Sequence, residues 1–196
     1  MVVSKVLAVL IGALVCGVAA QPPTRPALIG VWESERCIEQ ERSGARMSSK
    51  SVFIFLEHEW ALELIQYADG QCAQPTMKVF FTGPYQTTER SSVVAGATNA
   101  TFGFSYKAVI LYAEPLLAEA NRGVCGPRTW ERGQSQDVSA TGCLWVTPTS
   151  ACPKEFDLVK VEGHRLFLGE RPQPGQDLCR EDRRARTLRP VPLIRR

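Results

Sequence analysis

The chain of 196 residues holds only two histidines, and neither stands where acid–base or metal chemistry needs it. His58 lies between Glu57 and Glu59 at an expected turn, which describes a solvated corner. His164 opens a strand pattern beside Arg165. No nucleophile lies near either in sequence, and GxSxG, HExxH, a P-loop and GxGxxG are all missing. There is no CxxC pair, and neither histidine sits at ligand spacing from a cysteine. Catalysis, a metal and a cofactor are therefore not expected. Three other kinds of chemistry remain. Beyond residue 20 stand six cysteines, Cys37, Cys72, Cys125, Cys143, Cys152 and Cys179. An even set in an exported chain implies disulfides, with about 15 pairings open. Asn99-Ala100-Thr101 is a glycosylation sequon, so Asn99 is expected to face solvent. Arg183-Arg184-Ala185-Arg186 resembles a minimal furin-type cleavage site, and its charge could hold heparan sulfate.

The first twenty residues assign the compartment. Lys5 is followed by an apolar run from Val6 to Val18, too short to span a bilayer comfortably, and Val18-Ala19-Ala20 offers small side chains for signal peptidase. A cleaved signal peptide over residues 1–20 and export from the cell are expected. No later stretch approaches the length of a membrane helix. The net charge of +3 is small, which argues against general nucleic-acid binding. The chain beyond the signal is long enough for one domain.

Period-two patterning dominates that domain. Leu28 to Cys37 reads as a first strand. Ser51 to Glu57 is almost continuously apolar, as a strand covered on both faces would be. In Trp60 to Tyr67 the alternation points Trp60, Leu62 and Leu64 one way. Thr76 to Thr82 reads as a strand closed by Gly83-Pro84. Thr101 to Leu111 predicts one strand with Phe102, Phe104, Tyr106, Ala108 and Ile110 on its buried face. Glu114 to Asn121 fits one short helix, with Pro115 in its first turn and Gly123 as its stop. Glu155 to Val161 and His164 to Gly169 form a closing hairpin about Glu162-Gly163. After Cys179 the chain is Arg-rich without apolar periodicity, and residues 180–196 are expected to be a solvated, disordered tail.

Seven or eight strands with little helix suggest a barrel or a sandwich. Gly30-Val31-Trp32 favours the barrel, since in lipocalin-like barrels a Gly-x-Trp at the first strand closes the floor. Phe53, Phe55, Leu62, Leu64, Phe80, Phe102 and Phe104 are the expected wall residues. An eight-stranded barrel leaves an interior that side chains fill or that holds one small ligand, and the pattern leaves both open.

Four blocks in order resemble the extracellular domain of the adenomatosis polyposis coli down-regulated protein 1 family, whose members are Wnt antagonists at the cell surface. They are Gly30-x-Trp32-x-Ser34-x-x-Cys37, then Tyr67-x-Asp69-x-x-Cys72-x-x-Pro75-Thr76 with Gly83. Trp130-x-x-Gly133 with Asp137-Val138 and Thr141-x-Cys143 come next, and then Glu155-x-Asp157-Leu158 with Leu166-Phe167-Leu168-Gly169 and Arg171-Pro172. The last two look most like the second of the family's two tandem domains. The resemblance covers residues 28–179. It implies an open, antiparallel, lipocalin-like β-barrel with an apolar pocket for the acyl chain of a lipid-modified Wnt ligand. It goes with pairing Cys37 to Cys72 and Cys125 to Cys143. Cys152 has no counterpart in the family pattern, and its bond to Cys179 is an expectation for this chain alone. The chain departs from the family in carrying one domain and no membrane span. A secreted, non-catalytic capture protein is thus expected, acting on a Wnt-type ligand; a free-lipid carrier and a matrix protein held by the Arg tail are the competing readings.

Overall fold

The computed structural model describes residues 27–42, 45–127, 129–171 and 177–196. The expected signal peptide lies outside them. The described strands are β1 (Gly30–Ser34), β2 (Ile38–Arg42), β3 (Ala45–Phe55), β4 (Glu59–Tyr67), β5 (Pro75–Arg90), β6 (Thr98–Gly103), β7 (Tyr106–Leu111), β8 (Ser135–Asp137), β9 (Lys154–Glu162), β10 (Arg165–Leu168) and β11 (Leu193–Arg195). The helix α1 (Glu114–Glu119) runs into a wider turn over Ala120–Val124. The ladder passes from β1 to β3, β4, β5, β6, β9, β10 and β11 and returns to β1, which makes a closed antiparallel barrel of eight strands. The mainly β barrel, the short helix and the disulfides are as expected; the barrel is closed, where an open one was expected.

Register decides what enters the core, because residues directly opposite in an antiparallel pair share a face. Trp32 faces Phe53, Phe53 faces Leu62, and Leu62 faces Phe81. β5 does not stop at Gly83-Pro84 but runs through to Arg90. Gly83 is the crossing point: a Cβ there would stand 2.2 Å from the carbonyl oxygen of Gly103. Only a residue without a side chain lets the two backbones approach so closely.

The single strand expected over Thr101 to Leu111 is two. Tyr85 pairs with Phe102 and Thr82 with Tyr106, so two residues of β5 oppose three between β6 and β7. This bulge inverts the side-chain parity beyond it. Phe102 and Phe104 point inward as expected. Past the bulge Lys107, Val109 and Leu111 take the inner face, all buried, while Tyr106 is 36% exposed. Tyr106, Ala108 and Ile110 therefore do not continue the face of Phe102.

The C-terminal segment is not a disordered tail. β11 pairs with β1 through Trp32↔Arg195 and Ser34↔Leu193, and with β10 through Leu166↔Leu193. The domain thus extends past Cys179 to the last residues. Most of the arginines have fixed partners: Arg180 pairs with Asp182, Arg183 with Asp177 and Arg196 with Glu33. Arg184 donates to the carbonyls of Ala100 and Asp157, and the Arg189 side chain donates to that of Gly169. Leu178 and Ala185 lie buried with Phe156 and Leu158 on the outer side of β9. Composition hides this because the segment has few apolar residues, of which Ala185 and Leu193 are buried.

The cysteines pair as Cys37–Cys72, Cys125–Cys143 and Cys152–Cys179. The first ties the β1–β2 connection to the β4–β5 connection. The second fixes the long loop after α1, and the third anchors the C-terminal segment beside the start of β9.

Candidate functional site

The barrel floor is built on the Gly-x-Trp pair. Gly30 has φ +132°, a conformation natural to glycine alone. It turns the chain so that Trp32 enters the barrel fully buried. The Trp32 indole N–H donates to the Leu28 carbonyl at 2.6 Å. The Arg195 guanidinium lies 4.4 Å over the indole ring and donates to the carbonyl of Ala27. The C-terminal strand therefore both closes the wall and seals the floor.

Above the floor the interior is a chain of touching rings. Phe53 stacks on Phe55 at 6.1 Å and on Trp60 at 6.2 Å. Trp60 lies 5.0 Å from Phe102 and 5.7 Å from Phe104, and its indole N–H donates to the Gly103 carbonyl at 2.9 Å. Phe104 meets Phe81 edge-on at 5.6 Å, and Phe81 meets Trp145 at 6.5 Å. Trp145 is 37% exposed. It stands in a two-residue turn closed by reciprocal Cys143–Val146 backbone bonds, with Leu144 at φ +52°. One apolar path thus runs from the floor to the surface.

Of the expected wall residues, Phe53, Phe55, Leu62, Phe102 and Phe104 are buried together, and Leu64 packs half-buried against them. Phe80 is a correction. It lies on the outer face, 37% exposed, edge-on to Tyr106 at 6.4 Å. The β4–β5 register sets Phe81 opposite Leu62 and Phe80 opposite Glu63, so Phe81 takes the inner place. The Phe80-Phe81 doublet is apolar on both parities, which is why the sequence alone misassigned it. Trp60 and Phe81 are the wall residues that sequence reasoning left out. The alternation over Trp60, Leu62 and Leu64 already carried the signal for Trp60.

Two buried charges flank this interior. Lys107 donates from Nζ to the carbonyls of Thr147 at 2.9 Å and Cys152 at 3.3 Å, and sits 4.1 Å over the Phe104 ring. Burial lowers its pKa, partly offset by Glu155. Asp157 accepts the backbone N–H groups of Leu158 at 2.7 Å and Gly169 at 2.9 Å. Burial raises its pKa against the pull of Arg171 and Arg189. Each charge is satisfied by backbone, so both read as anchors of the chain. Elsewhere, Asn99 is half-exposed on β6, with its amide donating to Glu89 at 3.0 Å. Two cavities, of about 560 and 220 Å³, lie on either side of Arg184–Arg186 and not among the interior rings.

A closed antiparallel barrel with an aromatic interior, a Gly-x-Trp floor and three disulfides defines the class: a cross-linked β-barrel protein. Residues 14–178 match the family model described as adenomatosis polyposis coli down-regulated 1. The chain belongs to that family. No curated protein matches it. Among the described residues no helix is long and apolar enough to cross a membrane, and the disulfides are compatible with an extracellular protein.

Proposed function

We propose that this protein is a secreted, non-catalytic binder of an apolar or lipid-modified ligand, with an acylated Wnt-type signal as the favoured occupant. The observation that carries the reading is the continuous apolar path from the barrel interior through Phe104 and Phe81 to exposed Trp145. The rings touch one another from Phe53 to Trp145, so a ligand enters where the exposed end of the path yields, at Phe81, Phe104 and Trp145. An acyl chain entering there gains about 0.8 kcal/mol for each methylene buried. Family membership supports the signalling context.

Native mass spectrometry of the purified protein tests the pocket. Co-purified acyl lipid that is lost in Trp145→Ala is the expected result. Absence of lipid, together with no response of tryptophan fluorescence to added palmitate, removes the pocket. A Wnt reporter assay with conditioned medium tests the signal: reduced output is expected, and unchanged output at saturating protein leaves a free-lipid carrier.

A further inference from the structure

The C-terminal segment carries three overlapping Arg-x-x-Arg windows, ending at Arg183, Arg186 and Arg189. The fold treats them differently. Arg183 ends a tight helical turn over Glu181–Arg183, just after the Cys152–Cys179 bond, so the first window is coiled and tethered. Arg189 is held at both levels: its backbone N–H bonds Leu168 and its side chain bonds Gly169. The third window is therefore locked to β10. The middle window differs from both. Arg183 and Arg186 are exposed, and so is Thr187 beyond them. Arg183 is held by a surface ion pair to Asp177, where both side chains remain more than two-fifths exposed. Such a pair holds a side chain weakly. Asp182, Arg184, Ala185 and Arg186 line a surface depression on either side of the segment. What keeps it down is buried Ala185, the bonds and ion pair of the Arg184 guanidinium and, directly past Arg186, Thr187, whose carbonyl accepts the Glu170 N–H and whose hydroxyl donates to the Glu170 carboxylate, with Leu188 bridged to Gly169. Arg186 lies between these anchors with no hydrogen bond or ion pair among the described residues, and its peptide to Thr187 becomes accessible when this short stretch opens locally while the core stays folded.

Downstream of Arg186 the chain has no cysteine, and the segment includes β11, which closes the barrel between β1 and β10. We propose that Arg183–Arg186 is a processing site for an Arg-x-x-Arg-specific endoprotease, cut in the folded protein after Arg186, and that the cut leaves the closing strand bound without a covalent link. The reaction is hydrolysis of the Arg186–Thr187 amide. Water supplies the new carboxylate oxygen at Arg186, and the amide nitrogen leaves as the ammonium of Thr187. The released end is held without a covalent bond, by the β11 ladders, by Leu193 in the core, by Arg195 on Trp32, by the Arg196–Glu33 pair and by the bonds of Thr187 and Arg189 to Glu170, Leu168 and Gly169. A bond that tied the strand to the domain becomes a binding equilibrium. Loss of the strand would open the wall beside Trp32 and Leu166, both fully buried in the closed barrel.

The test treats the folded, oxidised protein with furin and reads intact mass under native and denaturing conditions. One cut after Arg186 is expected, with the Thr187–Arg196 segment retained under native conditions and lost in denaturant. Arg186→Gln should abolish the cut without affecting folding, because that side chain is exposed and makes no contact the fold relies on. Resistance of the folded protein under conditions that cut its reduced, unfolded form overturns the proposal. So does first cutting elsewhere. Release of the segment under native conditions as soon as the cut is made overturns the claim that the strand stays bound.

Discussion

Leu193→Ala asks directly whether the end of the chain belongs to the fold. Leu193 is 5% exposed and lies between Ser34 of β1 and fully buried Leu166 of β10. Truncating a buried leucine costs about 2–5 kcal/mol, the transfer of the lost carbons plus the cavity left behind. Here the strand is three residues long and near the end of the chain, so it can settle into the gap. The lower part of that range, about 2–3 kcal/mol, is therefore expected. Since a domain of this size shifts by roughly 2–4 °C for each kcal/mol, the melting temperature should fall by about 5 °C or more. Urea unfolding with the disulfides intact, followed by tryptophan fluorescence, measures it, and an unchanged slope would show that the same surface is exposed. Arg186→Ala is the control. Its side chain is exposed, so its effect should stay within about 0.5 kcal/mol. If Leu193→Ala also stays within about 0.5 kcal/mol, β11 contributes nothing and the barrel is not closed by this strand.

The same geometry sets three further outcomes. Phe81→Ala should cost about 3 kcal/mol or more, whereas Phe80→Ala should cost less than about 1; urea titration giving the reverse order would place β5 in the other register. Gly83→Ala forces a Cβ against the Gly103 carbonyl and should cost more than about 4 kcal/mol, so a near-native unfolding midpoint would show that the crossing is looser than described. Burial holds the Asp157 carboxyl above the usual carboxylate range, so the folded chain takes up this proton more readily than the unfolded one. The stability this gives is complete below the ordinary value and is lost as pH rises through the folded value. Asp157→Asn keeps an acceptor for Leu158 and Gly169 but does not titrate. Its stability relative to wild type should therefore rise as the pH climbs above the ordinary carboxylate value, and a difference that stays constant as the pH is raised contradicts the assignment.

Much of this protein could be read from its residues alone. Alternation over Trp60, Leu62 and Leu64 set the inner face of β4, because the side-chain period of a strand is a local property. The β9–β10 hairpin about Gly163 and the helix begun at Glu114, with Pro115 in its first turn, were local in the same sense. The ordered family blocks carried the barrel class and the first two disulfides. Three decisions lay beyond the sequence. The bulge at Phe104–Ser105 exchanged Tyr106 and Ile110 for Lys107, Val109 and Leu111, because parity past a bulge depends on the neighbouring strand. Phe80 and Phe81 were separated only by the register against Leu62, since both are apolar. Residues 180–196 looked like a charged tail because the bonds of Arg184 to Ala100 and Asp157, the pair of Arg196 with Glu33 and the stack of Arg195 on Trp32 are contacts between distant parts of the chain. Net local charge says nothing of them, and a strand of three residues is too short to show a period. Local chemistry fixed the strands; the closing of the barrel was decided where its two ends met.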